Sequence, residues 1–395
     1  MQASKVNHAF FFRSPFFFRS HGQSQKKPSA LHSMSWSDLP ADILASIADR
    51  ITEHADFARF RSVCPSWRSA SAAHAARRRV PLLLIPTQNY SGVNRRFWSL
   101  ADDSLTKIPV PAASGYSFLF ASPRGWTLGV ANDLSATLLH PFTGASESLP
   151  ALPPSFHGDY QRILRDTVWD RSPDTVVVSP GNGAFFCRLR PVDGSWSPVA
   201  GCSQDKNRVG SITYCDGMFY LLDKHAHKVT AVDGATFAVA AAIKPPRMVM
   251  PNPWCVPEST LIASSAELLL IVRTTGGSYG SQILFKIFRA DYRSLEAGWS
   301  EVAGDMGDRA VFVDHLRGFC VEANGVNGVR RNCMYVASSY EEVNDDYGLD
   351  VWGRYTVSVL DLANLTTQDL SYGNLLKCLC GRFWQWPSWS MPNLH

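Results

Sequence analysis

One hexapeptide pattern occurs twice in this chain and limits the folds that are open to it. Residues 196–201 read WSPVAG and residues 299–304 read WSEVAG, which places the second copy 103 positions after the first. Each copy follows a β-type run and precedes a turn and a further β-type run. The spacing fits two repeating units of about 50 residues each. The sequence therefore predicts a body that is built from repeated small β-sheets.

The length and texture of the chain indicate how many such units there are. A chain of 395 residues exceeds what one hydrophobic core usually organises, unless the fold repeats. Short β-type runs bounded by Gly, Pro, Asp and Asn fill residues 81–395, and no long linker divides them. We expect a mainly β protein with a kelch-like β-propeller of about six blades, and one tryptophan of each repeat wedged between neighbouring sheets. A pair of β-sandwiches is the alternative.

The charge distribution argues against a nucleic-acid partner. The net charge is +4, but residues 1–34 contain five basic residues and no acidic one, which leaves the remainder close to neutral. Nucleic-acid binding requires clustered positive charge. We interpret residues 1–34 as a disordered extension or a transit peptide, and we exclude them from the fold.

The cysteines and apolar runs indicate the compartment. Nine cysteines are scattered without the spacing of a disulfide framework, which predicts a protein of the cytoplasm, the nucleus or both. A transit peptide at residues 1–34 would instead direct the chain to an organelle. No apolar run reaches the roughly 20 residues that a membrane-spanning helix needs, so no membrane partner is expected.

Residues 36–80 have a different, helical pattern. Ser37 and Asp38 offer capping oxygens, and the apolar residues of 43–51 recur at helical spacing, which predicts a first helix. Asp56 is a candidate cap for a second helix, and a third is expected to begin near Ser66. Three short helices bury little surface alone, so this module needs a partner or an attached domain.

The residues of this module resemble the F-box, with its run of the form LP…IL…I…R-x-VC…WR. The resemblance implies binding to the Skp adaptor of a cullin–RING ubiquitin ligase, where an apolar ridge of the first helix would enter a groove of the adaptor. Frequent alanines in the module reduce the contact area. The expected adaptor-binding residues are Leu39, Pro40, Ile43, Leu44, Ile47, Val63, Cys64 and Trp67.

The region after the module resembles the KIB-type β-propeller of plant F-box proteins. Gly125-Trp126, residues 138–144 and residues 148–150 look like the first blade, with His140 at a position where Asn is usual. Residues 305–313 and the strand 332–336 resemble two further runs of that domain. The resemblance implies a domain that recruits an unknown protein substrate, in a ligase subunit without catalytic residues or cofactors of its own.

An alternative function depends on two sets of polar residues that have the chemistry of metal ligands. Asp223, His225 and His227 would share one strand face, or they form a turn between strands. Asp345, Asp346 and Asp350 could chelate a hard cation, although 341–348 reads as an exposed acidic loop. On this alternative the propeller binds a small molecule or glycan, with or without a metal ion, and has no role in ubiquitination. Separately, Cys378 and Cys380 have the chemistry of a metal-binding or redox pair, but no second Cys/His pair at zinc-finger spacing accompanies them.

The chain ends in a tryptophan-rich segment. Trp384, Trp386 and Trp389 lie within six positions. They predict either a final strand that closes the propeller against its first blade or an exposed aromatic patch for a partner.

Overall fold

A computed structural model of the chain describes most of residues 36–392. The stretches outside the described residues are 1–35, 52–53, 78–79, 86–93, 102, 111–112, 117, 123, 157–165, 191–192, 203–207, 248–256, 265–266, 277–281, 292–297, 303, 316, 325, 327, 344–350, 371–376, 380–386 and 393–395. The chain divides at Leu39 into two units. The described part of the first unit contains a short 3-10 helix, Trp36–Asp38.

The second unit begins with four helices rather than the three that the sequence predicts. Their bounds are α1 (Ala41–Arg50), α2 (His54–Ser62), α3 (Pro65–Ala70) and α4 (Ala72–Arg77). The predicted caps of α1 and α2 are wrong. The residue before α1 is Pro40, without a side-chain cap, and Asp56 lies inside the first turn of α2, where it pairs with Arg59 at 2.6 Å. Proline fits this position because the first N–H groups of a helix have no partner within it.

The rest of the second unit consists of strands that form six sheets among the described residues. The first three sheets contain β1 (Leu82–Ile85), β2 (Asn94–Ser99) and β3 (Ser104–Pro109); β4 (Phe118–Ala121), β5 (Thr127–Val130), β6 (Ala136–Leu139) and β7 (Ser146–Leu149); and β8 (Val168–Arg171), β9 (Thr175–Ser179), β10 (Phe185–Arg188) and β11 (Ser197–Pro198). A 3-10 helix, Pro154–Phe156, lies between the second and third sheets.

The fourth and fifth sheets contain β12 (Val209–Cys215), β13 (Met218–Asp223), β14 (Val229–Asp233) and β15 (Val239–Ile243), followed by β16 (Pro257–Ser264), β17 (Glu267–Gly276), β18 (Gln282–Asp291) and β19 (Gly298–Glu301). The sixth contains β20 (Arg309–Val313), β21 (Gly318–Glu322), β22 (Cys333–Val343), β23 (Val351–Asp361), β24 (Thr367–Leu370) and β25 (Lys377–Leu379). The last strand, β26 (Ser388–Ser390), pairs with β1 in the first sheet.

The six sheets are the blades of a β-propeller, which confirms the predicted fold. The innermost strands are β26, β4, β8, β12, β16 and β21, and neighbouring ones pack together, as β8, β12 and β16 do in succession. Mostly apolar side chains fill the space between blades. The segment predicted to be the first blade, residues 125–150, forms part of the second sheet, because β1 to β3 precede it.

The sixth sheet departs from a simple four-stranded meander. Its hairpin β20–β21 occupies the inner side, and β20 runs parallel to β22, with Phe312 opposite Tyr335. Their rings stack with centroids 4.6 Å apart. The two runs that resemble the KIB-type domain, 305–313 and 332–336, therefore meet side by side in one sheet.

The repeated tryptophans join neighbouring blades, as the repeat predicts. The indole N–H of Trp196 donates to the carbonyl of Pro150, at 3.1 Å, and that of Trp299 donates to the carbonyl of Lys244, at 2.8 Å. Each acceptor directly follows the outer strand of the preceding blade, β7 or β15. The two copies therefore lie two blades apart, in the third and fifth blades, which explains their spacing.

Trp389 confirms the prediction of a closing strand, whereas Trp384 and Trp386 lie outside the described residues. Leu83 of β1 is the pairing partner of Trp389. The buried indole of Trp389 donates to the carbonyl of Val313, at 3.2 Å, and lies edge-on to Phe312 with centroids 5.0 Å apart. One side chain thus ties the closing strand to both the first and the sixth blade.

We expect Trp389→Ala to lower the free energy of unfolding by about 3–5 kcal/mol, because a large buried side chain is lost where the propeller closes. A urea titration followed by circular dichroism measures the change. The control Trp36→Ala removes an indole that is 75% exposed and should change stability by less than about 0.5 kcal/mol. Equal losses in the two variants would contradict the role of Trp389.

Candidate functional site

The first helix exposes two isoleucines on one face. Ile43 is 46% exposed and Ile47 is 37% exposed, and their spacing of four residues places them one turn apart. Pro40, just before the helix, is exposed, and Leu39, in the first unit, is half-buried. Val63, after α2, is also exposed. These apolar side chains are available for contact with another molecule.

Leu44 does not belong to this exposed face. Its side chain is 1% exposed, and Ala48, one turn later, is buried as well. The expectation that Ile43, Leu44 and Ile47 form one stripe is therefore wrong, because adjacent residues of a helix point about 100° apart. In this conformation Leu44 packs inside the module and offers no surface to a partner.

Trp67 has a structural contact within the helical module. Its ring lies 4.6 Å from that of Phe60, centroid to centroid, and its side chain is half-buried. Trp67 thus joins α2 to α3 and retains part of its surface.

Arg61 is a buried residue of the module that the sequence analysis did not single out. Its Nη1 donates to the carbonyl of Arg68, at 3.1 Å, and to the hydroxyl of Ser71, at 3.2 Å. The Ser71 hydroxyl in turn donates to the carbonyl of Trp67, at 2.8 Å. This network fixes the end of α3 relative to α2. The Arg of the R-x-VC run is the signal that points to it.

Cys64 lies at the start of α3 and is half-buried. Its Sγ is 3.0 Å from the hydroxyl oxygen of Ser66. The hydrogen bond to Ser66 is the largest of the effects that lower the pKa of the Cys64 thiol. The thiol thus lies beside the exposed Val63, where the resemblance places adaptor contacts.

The candidate metal ligands of the fourth sheet form a turn rather than a strand face. β13 ends at Asp223, whose Oδ1 accepts from the backbone N–H of His225 and Ala226, at 2.9 and 2.8 Å. His225 is exposed, whereas His227 is buried, with Nδ1 2.9 Å from the hydroxyl of Ser259. Burial lowers the pKa of His227. No cluster of three metal-ligating side chains occurs in the described part of the chain.

The other two candidate metal sets fall wholly or partly outside the described residues. Asp345, Asp346 and Asp350 lie in the stretch 344–350, and Cys380 lies in 380–386. Cys378 belongs to β25.

His140 lies in a turn, at the position where the resemblance to the KIB-type propeller leads us to expect Asn. It directly follows β6, and its Nδ1 accepts a hydrogen bond from the backbone N–H of Thr143, at 3.2 Å. The amide N–H of Gly144 donates to the carbonyl of His140, at 2.9 Å. An Asn side chain would form the same kind of local bond, so the replacement keeps the turn.

A second candidate surface lies where several inner strands of the propeller begin. Asp166 precedes β8, Glu258 lies near the start of β16, and His315 precedes β21. Lys224, just after β13, donates to Asp166 at 2.9 Å, and Arg273 of β17 pairs with Glu258. We call these five residues the channel mouth.

The charged residues of the channel mouth interact with one another through His315. Burial lowers the pKa of His315 to about 4, and both ion pairs of the mouth act on its charge. His315 is therefore neutral at pH 7, between two pairs that balance their own charges. No local pattern marks these residues, since they come from four blades.

Two glycines leave room for one of these ion pairs. A β-carbon at Gly210 would lie 2.6 Å from the β-carbon of Lys224, and one at Gly181 would lie 2.7 Å from that of Asp166. Gly181 also has φ +97°, which other residues rarely adopt. The backbone at these two glycines therefore packs closely against the side chains of Lys224 and Asp166, and a larger residue at either position would displace them.

None of the helices in the described ranges is long and apolar enough to cross a membrane.

Comparison with known proteins places this architecture in a family. The family model "KIB1-4 beta-propeller" matches residues 97–360, more than half of the chain. "Putative F-box protein At4g22660" of Arabidopsis thaliana is 24% identical over 354 residues, which cover 79% of this chain and 88% of that protein. "Putative F-box protein At5g66830" of the same plant is 22% identical over 342 residues, which cover 79% and 84%.

Among solved structures, the N-terminal domain of Nup159 aligns with a TM-score of 0.35 and 11% identity, over 76% of this chain and 78% of that one. The family match is the informative result, because it spans strands of all six sheets. The chain belongs to the KIB1-4 β-propeller family and is a plant F-box protein with a propeller of this type.

Proposed function

We propose that this protein is the substrate-receptor subunit of an SCF-type cullin–RING ubiquitin ligase. Residues 36–80 act as the F-box that binds a Skp-type adaptor, and residues 81–395 act as the propeller that recruits a protein substrate. The observation that carries the proposal is the exposed pair Ile43 and Ile47 on the first helix of a chain that resembles F-box proteins.

The distribution of exposed apolar side chains supports adaptor binding by this module. Among the described residues, seven large hydrophobic side chains are exposed, and four of them fall within residues 36–63 of the sequence. Apolar side chains on a helix suit a hydrophobic groove on a partner. Fully burying an isoleucine side chain contributes about 1.5–3 kcal/mol. Because Ile43 is 46% exposed and Ile47 is 37% exposed, covering the rest of each in such a groove contributes roughly 1 kcal/mol.

The interior of the module keeps this surface in place. Leu44 and Phe57 are buried, and Arg61 ties the end of α3 to α2. The roles of the expected contact residues therefore differ: Ile43, Ile47, Pro40 and Val63 present surface, Leu44 packs, and Trp67 does both.

Substrate recruitment is the role that we assign to the propeller. The channel mouth supports this assignment, because it gathers charged and polar side chains from four blades on a rigid scaffold. Loops on rigid scaffolds are common binding surfaces. Ubiquitin transfer takes place on the cullin and RING subunits that the adaptor brings, so the receptor needs no catalytic residue of its own.

We expect Ile43→Asp with Ile47→Asp to weaken binding of a purified Skp-type adaptor at least about tenfold, because two charges would be buried in an apolar groove. Isothermal titration calorimetry on the full chain measures the affinity. Val239→Asp is the matched control, since Val239 is also 46% exposed but lies on β15 of the propeller. Unchanged affinity in the double variant, with the fold retained, would refute adaptor docking by α1.

Arg61→Met tests whether the buried network positions the docking surface. The substitution removes the hydrogen bonds to Arg68 and Ser71 and keeps much of the side-chain volume, so the module should lose about 1–2 kcal/mol of local stability. Hydrogen exchange should then accelerate in α2 and α3 while the propeller strands stay protected. Equal hydrogen-exchange rates in α2 and α3 of the variant and the wild type would rule out a positioning role for Arg61.

The proposed function places the protein in the cytoplasm, the nucleus or both. A carboxy-terminal fluorescent fusion should show this distribution with or without residues 1–33. Organellar fluorescence that disappears when residues 1–33 are removed would instead identify them as a transit peptide.

A further inference from the structure

The side chain of Arg317 crosses the central channel of the propeller. Arg317 directly precedes β21, the inner strand of the sixth blade. Its Nη1 donates to the carbonyl of Ala121 in the second blade, and its Nη2 donates to the carbonyl of Thr167, at 3.3 Å, beside the third blade. Neither blade is a neighbour of the sixth, so the guanidinium lies across the channel, near the end that carries the channel mouth.

No acidic group among the described residues forms a direct ion pair with this guanidinium. Arg317 is 6% exposed, and its hydrogen-bond acceptors are backbone carbonyls. The nearest carboxylates are engaged elsewhere. Asp314 accepts from the backbone N–H of Arg317 and of Trp389, and Asp170 accepts from the backbone N–H of Tyr214, at 2.8 Å.

Asp170 is also committed to a second arginine. Its Oδ1 lies 3.3 Å from Nε of Arg124, and its pKa is raised by burial against the opposing effect of that arginine. Burial likewise lowers the pKa of Arg317, although Asp314 and Asp170 favour its charged form. A buried cation that is neutralised only from a distance is costly unless a further anion accompanies it.

Two buried polar atoms of Arg317 and Thr167 have no hydrogen-bond partner within the described residues. They are Nε of Arg317 and Oγ1 of Thr167, and Thr167 is fully buried. The bond from Nη2 to the Thr167 carbonyl makes the two residues neighbours. Buried polar atoms of folded proteins usually have partners, so each of these two requires one, either a water molecule or a bound group.

An oxyanion matches both atoms and the charge. A carboxylate or phosphate oxygen accepts from the Nε–H and from the hydroxyl, and it would pair directly with the guanidinium, whose charged form Asp314 and Asp170 favour without a direct ion pair. Water would satisfy the hydrogen bonds but not the charge. The entrance is compatible with an anion, because His315 is neutral at pH 7 and Lys224 and Arg273 already balance the acidic residues of the mouth.

We propose that the propeller channel holds a site for an oxyanion, a carboxylate or phosphate group, formed by Arg317 and Thr167. The group belongs either to a small molecule or to an acidic side chain that a partner protein inserts through the channel mouth. The site is independent of adaptor binding by α1, and the two are measured separately.

The test uses the purified full chain and inorganic phosphate, with chloride at the same ionic strength as the reference. Phosphate should raise the midpoint of thermal unfolding, by an amount that grows with the logarithm of one plus the ratio of its concentration to its dissociation constant. Calorimetry should then show about three- to tenfold weaker phosphate binding in Thr167→Val, the loss expected for one hydrogen bond. Binding should be lost in Arg317→Gln.

Thr167→Val also separates a loss of phosphate binding from a loss of folding. Since Oγ1 of Thr167 has no partner in the described chain, its replacement by a methyl group should leave the unliganded protein as stable as the wild type, or more so. The control Thr137→Val removes a hydroxyl that bonds the Tyr116 hydroxyl at 2.5 Å, so it should lower stability without changing phosphate affinity.

A peptide of ten glutamates distinguishes the two sources of the anion. Displacement of phosphate by the peptide supports an acidic side chain of a partner, whereas binding of phosphate without displacement supports a small anion. Equal thermal midpoints in phosphate and chloride overturn the proposal, and so does unchanged phosphate affinity in Thr167→Val. Either result leaves adaptor binding untouched, so failure here is distinguishable from failure of the proposed function.

Discussion

The pairing of β26 with β1 is the interaction on which the propeller depends. Leu83 and Trp389 are opposite each other in this pair, although most of the chain separates them. Without the pair, the first blade would lose its inner strand, and the first and sixth blades would present open apolar faces. The entropic cost of joining the two ends grows only slowly with the length of the chain between them. One buried indole and a strand pair stabilise the closed propeller by several kcal/mol. The closed propeller then holds the residues of the channel mouth at fixed distances.

The helical module follows the opposite principle. Its interior is small, and it keeps isoleucines at the surface where a self-sufficient domain would bury them. Leu44 and Ile43 are neighbours in one helix, and yet Leu44 packs in the interior whereas Ile43 remains exposed. Binding through such a surface is favourable because apolar area is covered only when the partner arrives. A rigid β body beside a module with exposed apolar side chains suits a protein that joins two other molecules.

The sequence predicts those features that leave a local or periodic trace. The paired tryptophans 196 and 299 and the closing strand at Trp389 follow from spacing and residue type. The exposed isoleucines of α1 follow from the resemblance to the F-box, because helical spacing alone equally fits a buried core. The start of α1 and the fourth helix do not follow from such patterns. Ser37 and Asp38 are the usual capping residue types and compete with Pro40 for the start of α1, and the alanine-rich α4 has no apolar stripe that would mark it as a helix. The parallel insertion of β20 beside β22 also leaves no local trace, since register is a tertiary property. The position of Arg317 in the channel is the hardest feature to predict, because its acceptor, the carbonyl of Ala121, lies 196 residues away in the sequence.

The polarity of the channel contrasts with the apolar packing between blades, and the contrast has an energetic reason. The side chains between blades are stabilised by the burial of apolar surface, and such packing tolerates exchange of one apolar group for another of similar volume. The inner groups Asp170, Arg124 and Arg317 are held by hydrogen bonds, and each becomes costly if its partner is lost. Such groups add little net stability, so their presence is better explained by a requirement for polarity at the axis than by folding. An axis that is polar, preorganised and incompletely paired is poised to bind, and the residues that form it are contributed by blades that only the closed propeller brings together.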